Sequence, residues 1–196
     1  MTARPTAPSL PLRTERLVLR PALESDVEAL VAYRGDPEVC RWLPFEPQDA
    51  GDVRERVAAW HRHLAADPAA DQDADWALTL VADHEGVVVG DVMLRLKGGT
   101  QRSIAEVGYV FHPGHGGRGL ATEAARAVTG LAFDHFGCHR VHANLDPRNA
   151  ASARLCERLG MRHEAHLRRD WWDDGVGEWT DSAIYGLLRE EWDAAR

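Results

Sequence analysis

The chain has 196 residues, with 23 lysines and arginines against 31 aspartates and glutamates and a formal net charge of −8. Such a length suits one domain with its own hydrophobic core. The acidic balance, without any basic stripe, argues against nucleic acid as a partner. No apolar run is long enough to cross a membrane, so we also expect no membrane partner.

The N-terminal segment and the cysteines favour a cytoplasmic protein. Residues 1–11 are rich in proline, alanine and threonine and lack the apolar centre of a signal peptide. We therefore predict a flexible arm over residues 1–11 and a single domain over residues 12–196. The cysteines, Cys40, Cys138 and Cys156, are odd in number and form no Cys-x-x-Cys pair, which favours a reduced protein without a metal site.

The first predicted elements are a strand and a helix. Residues 12–21 alternate between apolar and polar side chains over their second half and stop at a proline, which predicts a strand. Ser25 and Glu28 are spaced as a capping box, which predicts a helix that begins there and ends near Gly35.

The chain from residue 36 to residue 96 continues with segments of both kinds. We predict a constrained loop over residues 36–48, a helix over 51–64, an acidic loop over 67–75, and hairpin strands over 76–82 and 87–96. Gly90 lies inside the second of these strands and is a candidate bulge.

A glycine-rich loop joins the next strand to a helix. Residues 104–111 are mostly β-branched, aromatic or apolar, and apolar residues recur every three or four positions over residues 120–136. Between them, four glycines occur in six residues (Gly114, Gly116, Gly117, Gly119). Glycine allows close approach of a ligand, and a helix start offers unpaired N–H groups and a favourable dipole to an anion. The segment therefore predicts a phosphate cradle, or alternatively a tight turn that needs glycine for geometry alone.

A second strand and helix follow this unit. Residues 140–145 predict a strand, Asn149 is a candidate helix N-cap, and residues 150–159 predict a helix that ends at Gly160. Residues 161–188 predict a long hairpin that turns at residues 173–175, with a short helical tail after it.

Three motifs resemble those of the GNAT N-acetyltransferase superfamily. The loop Gly116-Gly117-Arg118-Gly119-Leu120-Ala121 resembles its acyl-coenzyme A pyrophosphate loop, Gln/Arg-x-x-Gly-x-Gly/Ala, with Gly116 in place of Gln or Arg. Residues 149–161 resemble its pattern Asn-x-x-Ser-x-x-x-Tyr/Cys-x-x-x-Gly-Phe/Met. The opening TERLVLRPALESDVEAL, followed by GDPEVCRWLP, resembles the branch that contains the ribosomal-protein N-terminal acetyltransferases.

The resemblance implies a mixed α/β fold that binds acetyl-CoA and no metal. The sheet would be twisted and mainly antiparallel, with helices on both faces, and splayed at a parallel pair formed by residues 104–111 and 140–145. Acetyl-CoA, as co-substrate, would enter that splay. The implied contacts are backbone groups of Val110, Phe111 and His112, freed by a strand bulge, the loop residues Gly117, Arg118, Gly119, Leu120, Ala121 and Thr122, and the side chains of Asn149 and Ser152.

Candidate catalytic residues come from the same segments. Glu106 lies in an otherwise apolar strand, where the resemblance places a carboxylate base in many relatives; a solvated glutamate or a water relay are the alternatives. Many relatives have a tyrosine acid where this chain has Cys156, so Ser152, one turn earlier, is the substitute acid. Cys156 itself is a second candidate, as acid or as acyl-cysteine.

These residues lead to one main function and two alternatives. The main hypothesis is an acyl-CoA-dependent N-acyltransferase that moves an acetyl group to a primary amine, a protein N-terminus or a small molecule, by direct attack in a ternary complex. The first alternative is a catalytically silent acyl-CoA sensor. The second is a dinucleotide enzyme, based on the lone Gly-x-Gly-x-x-Gly match that begins at Gly114.

The C-terminal hairpin and the oligomeric state are further open points. In the family such a hairpin overhangs the acceptor cleft, where the acidic residues and tryptophans of this hairpin would attract a cationic amine. Charge that keeps the hairpin tip solvated is the alternative interpretation. The sequence also leaves a homodimer open.

Overall fold

A computed structural model of the chain describes residues 7–66, 75–97, 104–173 and 177–196. The first six residues of the predicted arm, nearly all of the predicted acidic loop and most of the predicted hairpin tip lie outside these ranges. Within the described chain, no helix is long and apolar enough to cross a membrane.

The described chain contains eight strands and six α-helices. The strands are β1 (Leu12–Arg13), β2 (Val18–Arg20), β3 (Trp76–His84), β4 (Val87–Lys97), β5 (Ile104–Phe111), β6 (Arg140–Leu145), β7 (Arg162–Asp173) and β8 (Glu178–Leu188). The helices are α1 (Val27–Arg34), α2 (Pro37–Cys40), α3 (Ala50–Ala65), α4 (Leu120–Gly130), α5 (Ala150–Leu159) and α6 (Arg189–Ala194). A π-helical turn, Leu131–His135, extends α4.

The strands form one twisted sheet with a single parallel pair among the described strands. Its order is β1-β2-β3-β4-β5-β6-β8-β7, and β5 and β6 are parallel. These two strands pair only from Ile104 with Arg140 to Glu106 with His142. Beyond that point β5 continues to Phe111 without pairing to β6, so the sheet opens there. The predicted fold class and the predicted splay are both confirmed.

Two apolar clusters cover the two faces of the sheet. One packs α4, α5 and α6 against β3 to β6 and includes Val107, Leu120 and Leu155. The other packs α1 and α3 against the opposite face and includes Leu30 and Val110. Because side chains alternate along a strand, β5 sends successive residues to different faces. The opening between β5 and β6 is therefore reached from both helical layers.

Two predictions for the N-terminal segment are wrong. Residues 12–21 form a short hairpin of β1 and β2 rather than one strand, with the N–H of Thr14 bonded to the carbonyl of Leu17 at 3.0 Å. The predicted capping box of Ser25 and Glu28 does not start α1. Instead the Asp26 carboxylate accepts from the N–H of Leu23 at 2.7 Å, and a 3-10 turn, Glu24–Asp26, precedes α1.

A bulge occurs in β4 and not in β5. The β3–β4 register shifts between Ala82, opposite Gly90, and Asp83, opposite Val88, which confirms the predicted bulge at Gly90. A Cβ on Gly90 would lie 2.5 Å from the Phe111 ring, so only glycine fits there. By contrast, β5 pairs with β4 without any register shift. The prediction of a bulge late in β5 is therefore wrong. The backbone edge of β5 is exposed because β5 separates from β6.

Candidate active site

The glycine loop presents a row of unpaired backbone amides. Gly117 and Gly119 have φ angles of +74° and +78°, a region in which other residues are strained, and Gly119 is the N-cap of α4. The amides of residues 117–122 donate to no acceptor among the described residues. The N–H of Gly116 is already bonded to the carbonyl of Pro113. Six consecutive N–H groups at a helix start thus lie beside the end of β5, as an anion site requires.

Glu123 fixes this loop to the β1–β2 hairpin. Its carboxylate accepts from the Thr14 hydroxyl at 2.6 Å, from the Arg16 N–H at 2.8 Å and from Arg16 Nε at 2.7 Å. Arg16 also donates to the carbonyl of Arg118 at 2.8 Å. Burial acts to raise the pKa of Glu123, but the hydrogen bonds from Thr14 and Arg16 outweigh it and lower that pKa. The first turn of α4 is thereby held in place from a distant part of the chain.

Arg118 and three histidines surround the same loop. Arg118 donates to Nε2 of His84 at 2.9 Å and lies 3.4 Å from Nδ1 of His115. Partial burial, His112 and Arg118 together lower the pKa of His115. The His112 side chain accepts from the N–H of Gly114 at 3.0 Å and shapes the turn. The loop therefore combines free amides with nearby positive charge.

The start of α5 lies across the opening from β5. Asn149 is the N-cap of α5, and its side-chain oxygen accepts from the N–H of Ser152 at 3.1 Å, so the predicted capping role is confirmed. Asn149 and Ser152 both line the cavity described below. Cys156 is fully buried one turn later, and burial raises the pKa of its thiol. A buried, protonated thiol is poorly suited to form an acyl-cysteine.

Tyr109 is a candidate functional residue that the sequence analysis did not identify. Its hydroxyl donates to the carbonyl of Ser152 at 3.3 Å and lies 3.6 Å from the sulfur of Cys156. Burial first, and then Cys156, raise the pKa of this phenol. The chain therefore places a tyrosine hydroxyl from β5 beside the helix position where many relatives carry a tyrosine. Its spacing in the strand was visible in the sequence, but its contact with α5 depends on the fold.

A cavity of about 830 Å³ runs from the first helical layer to the opening between β5 and β6. Residues of the loop before α3, of α3, of β3 to β6 and of the start of α5 line it. The loop residues Trp42, Leu43 and Phe45 are among them, and the latter two also pack against the core. One continuous space thus connects a mixed aromatic and charged pocket with the sheet opening.

Glu106 lies in this cavity, but cations engage its carboxylate. Lys97 Nζ lies 3.0 Å and Arg95 Nη1 3.7 Å from Oε2 of Glu106, whose side chain is 17% exposed. Gly108 and Val110, which alternate with Glu106 along β5, line the same cavity. Glu106 therefore lines the cavity, and its carboxylate lies within 4 Å of two cations.

A buried ion pair forms the floor of the pocket. Arg34 donates to both oxygens of Asp91, at 2.9 and 2.7 Å, and the Tyr33 hydroxyl donates to Asp91 at 2.7 Å. The Arg34 guanidinium lies 5.0 Å from the ring centroids of both Phe45 and Trp60. Burial acts to lower the pKa of Arg34, and the Asp91 carboxylate more than offsets this, so that the pKa is raised.

Arg56 lies on α3 beside this pair. Its guanidinium lies 4.9 Å from the centroid of the Phe45 ring, and it lines the cavity. Its Nε is buried and has no hydrogen-bond acceptor among the described residues. Burial and then the charge of Arg34 lower the pKa of Arg56. The sequence analysis did not identify Arg34 or Arg56, because helix periodicity cannot show which residues reach a pocket.

The described part of the C-terminal hairpin does not line the cavity, where the sequence analysis left open an acceptor wall or a solvated tip. None of the described residues of β7 and β8 lines the cavity, and Trp171, Trp172 and Trp179 are about half exposed. The hairpin is linked to the cavity mouth through Arg148, which lies 5.0 Å from the Trp42 ring. Asp146 raises the pKa of Arg148, with smaller contributions from two hairpin carboxylates.

Comparison with known proteins assigns the family. The model of the acetyltransferase (GNAT) domain matches residues 16–162, which include the glycine loop, β5, β6 and α5. The chain belongs to the GNAT acetyltransferase family. It is an N-acetyltransferase, and the family match favours this activity over the dinucleotide enzyme.

Two relatives of the GNAT chain match it over nearly their whole lengths. The N-acetyltransferase YnaD of Bacillus subtilis is 27% identical over 184 residues, 92% of this chain and 98% of that protein. YdaF of the same organism, whose name proposes a ribosomal N-acetyltransferase, is 26% identical over 93% of this chain and 96% of its own.

Solved structures give the same result for the fold. A GNAT acetyltransferase from Bacillus anthracis is 26% identical, with a TM-score of 0.77 over 91% of this chain and 98% of that one. The spermidine N-acetyltransferase of Vibrio cholerae, solved with CoA and spermine, is 18% identical, with a TM-score of 0.72 over 91% of this chain and 99% of that one.

Proposed function

We propose that this GNAT enzyme transfers an acetyl group from acetyl-CoA to a primary amine by direct attack in a ternary complex. The observation that carries the proposal is the row of unpaired amides at residues 117–122, at the mouth of the opening between β5 and β6. Acetyl-CoA supplies a thioester whose carbonyl carbon is open to an amine nucleophile. The CoA complex of the Vibrio cholerae spermidine N-acetyltransferase, a protein of the same fold, supports this choice of co-substrate.

In the proposed binding mode, the amides of residues 117–122 and the Arg118 side chain hold the diphosphate. Free amides at a helix start attract an anion through both hydrogen bonds and the helix dipole. The backbone of Val110, Phe111 and His112 borders the opening, and Asn149 and Ser152 border it from the other side. These groups would orient the thioester arm and donate N–H groups to its carbonyl oxygen.

In the proposed reaction, the amine nitrogen forms a bond to the thioester carbon while the carbon–sulfur bond breaks. Glu106, directly or through water, accepts the proton that the amine loses. The departing sulfur takes a proton from an acid that lies beside the start of α5. Tyr109 is the best-placed donor, because its hydroxyl lies between Ser152 and Cys156 and its raised pKa keeps it protonated. Ser152 and Cys156 remain the alternative donors.

Turnover and binding together test this proposal. Acetyl-CoA is mixed with a panel of amines and N-terminal peptides, including peptides of ribosomal proteins, and the released thiol is measured. We expect transfer to at least one amine, and a rise of the melting temperature with acetyl-CoA. Tight binding of acetyl-CoA without transfer to any amine would favour the sensor alternative. Absence of binding in calorimetry would contradict the proposed site at the glycine loop.

A further inference from the structure

Arg56 is a cation of the cavity that forms no ion pair among the described residues, and the more distant carboxylates of Asp91 and Asp52 act to raise its pKa without offsetting its burial. The other arginines of the pocket differ from it, since Arg34 is bonded to Asp91 and Arg95 lies near Glu106. The guanidinium of Arg56 lies over the face of Phe45, and its buried Nε has no hydrogen-bond acceptor among the described residues. Removal of a charged group from water is costly unless an opposite charge compensates it. An arginine in this state is a binding group for an anion that enters the cavity.

The position of Arg56 relates this anion site to the sheet opening. The guanidinium groups of Arg56 and Arg34 lie 4.9 and 5.0 Å from the centroid of the same Phe45 ring. Arg34 is bonded to Asp91, which is paired across the sheet with Val110 of β5. A continuous series of contacts therefore leads from Arg56 to the strand that borders the opening.

The cavity that contains Arg56 has three aromatic side chains from the first helical layer and the loop before α3, among acidic and polar ones. Trp42, Phe45 and Trp60 line the same cavity. A planar guanidinium matches the geometry of a carboxylate and donates two parallel hydrogen bonds to it. The pocket thus combines a carboxylate receptor with surfaces that favour an apolar or aromatic body.

We propose that the acceptor is a small amine that also carries a carboxylate, and that Arg56 binds this carboxylate. The class that fits is an α-amino acid with an aromatic or large apolar side chain. The inference rests on the proposed acetyl transfer, and it names the chemistry of the acceptor. It differs from the acidic wall for a cationic amine, which the sequence analysis gave as one of two alternatives.

Three matched acceptors test the inference in the unmodified enzyme: phenylalanine, phenylalanine amide and phenethylamine. A charged hydrogen-bonded contact is worth about 10- to 100-fold in kcat/KM. We therefore expect phenylalanine to exceed both analogues that lack the carboxylate by that factor. Equal or better turnover of phenethylamine would overturn the carboxylate assignment while the acetyltransferase function stands. No transfer to any amine, with no acetyl-CoA binding, would instead contradict the proposed function.

The Arg56→Gln variant tests whether Arg56 is the residue that binds the carboxylate. We expect it to lose the preference for phenylalanine and to keep its turnover of phenethylamine. Arg54→Gln is the matched control, because Arg54 is on the same helix but pairs with Glu24 at 2.7 Å and is exposed. Calorimetry with phenylalanine and phenethylamine, in the presence of CoA, repeats the comparison without turnover. An unchanged preference in Arg56→Gln, or no preference in either measurement, overturns the inference.

Discussion

At the scale of single residues, the hydroxyl of Tyr109 is the group whose role is most open to test. We predict that Tyr109→Phe lowers kcat by about 100-fold, because general acid catalysis commonly contributes at least that much. The KM for acetyl-CoA should change little, because the proposed diphosphate site is the glycine loop and the Tyr109 hydroxyl contacts α5 instead. Initial rates at varied acetyl-CoA concentrations separate the two effects.

The pH profile adds a readout that a structural role would not change. The raised pKa of Tyr109 means that its proton stays in place across the neutral and mildly alkaline range. Even an ordinary tyrosine keeps its proton up to about pH 10. We therefore expect that, below about pH 9, deprotonation of Tyr109 does not lower the kcat of the unmodified enzyme. Tyr185→Phe, on β8, is the control. Equal kcat in Tyr109→Phe and the unmodified enzyme would remove Tyr109 from the mechanism.

Gly119 is the residue on which the geometry of the amide row depends. We predict that Gly119→Ala weakens acetyl-CoA binding, because an alanine at a φ of +78° costs about 1 kcal/mol and moves the N-cap toward other angles. Gly137→Ala is a matched control, with a φ of +69° and open space around it, beyond the π-helical turn. Both variants should lose similar stability, and calorimetry should show weaker binding only for Gly119→Ala.

At the scale of elements, the β1–β2 hairpin holds the first turn of α4 through Glu123. The pKa of Glu123 is lower in the folded protein than its ordinary value of 4.5. Its ionised form therefore stabilises the fold at neutral pH, and this contribution is lost as the pH falls from about 4.5 through the lower folded value.

We predict that Glu123→Gln lowers the free energy of unfolding at pH 7 and raises the KM for acetyl-CoA. The loss of stability should become smaller as the pH falls through the titration range of Glu123. Urea unfolding at several pH values measures it. Glu38→Gln is the control, since Glu38 forms only an exposed pair with Arg41 at 3.7 Å. An unchanged KM would show that this anchor does not support the loop.

Gly90 lies at the bulge in β4 and faces Phe111, the last residue of β5. We predict that Gly90→Ala costs about 1–3 kcal/mol, because the added Cβ would lie 2.5 Å from the Phe111 ring and 2.6 Å from the Val110 carbonyl. Gly108→Ala should cost less, since its Cβ would meet only the mobile end of Met93 at 3.1 Å. Denaturant unfolding of both variants checks this order, and a larger cost for Gly108→Ala would contradict it.

The sequence predicted the bounds of some elements correctly and those of others wrongly. The bounds of β6 and α5 were predicted correctly, because caps and apolar periodicity are local signals that include Asn149 and Gly160. The start of α1 was wrong because the Asp26 carboxylate, rather than Ser25, accepts the hydrogen bond of the turn. Alternation along residues 12–21 did not reveal that a turn divides them into two strands.

At the scale of the whole molecule, the site is assembled from segments far apart in the chain. The family resemblance of the motifs predicted the fold and the splay, and the strand, glycine loop and helix were visible as neighbouring segments of the sequence. The contacts of Tyr109 with α5 and of Arg34 with Asp91 join residues 43 and 57 positions apart. No pattern within one segment specifies such pairs, so these parts of the candidate site required the structure.

The central claim is that the amides of residues 117–122 bind the diphosphate of acetyl-CoA at the opening between β5 and β6. The most direct measurement is an NMR titration of the full chain with acetyl-CoA, in which each assigned backbone amide is followed. The account predicts large, saturable shifts of the amides of residues 117–122 and of the β5 residues beyond Glu106. Saturable binding that leaves these amides unshifted, with the shifts elsewhere in the protein, would contradict it.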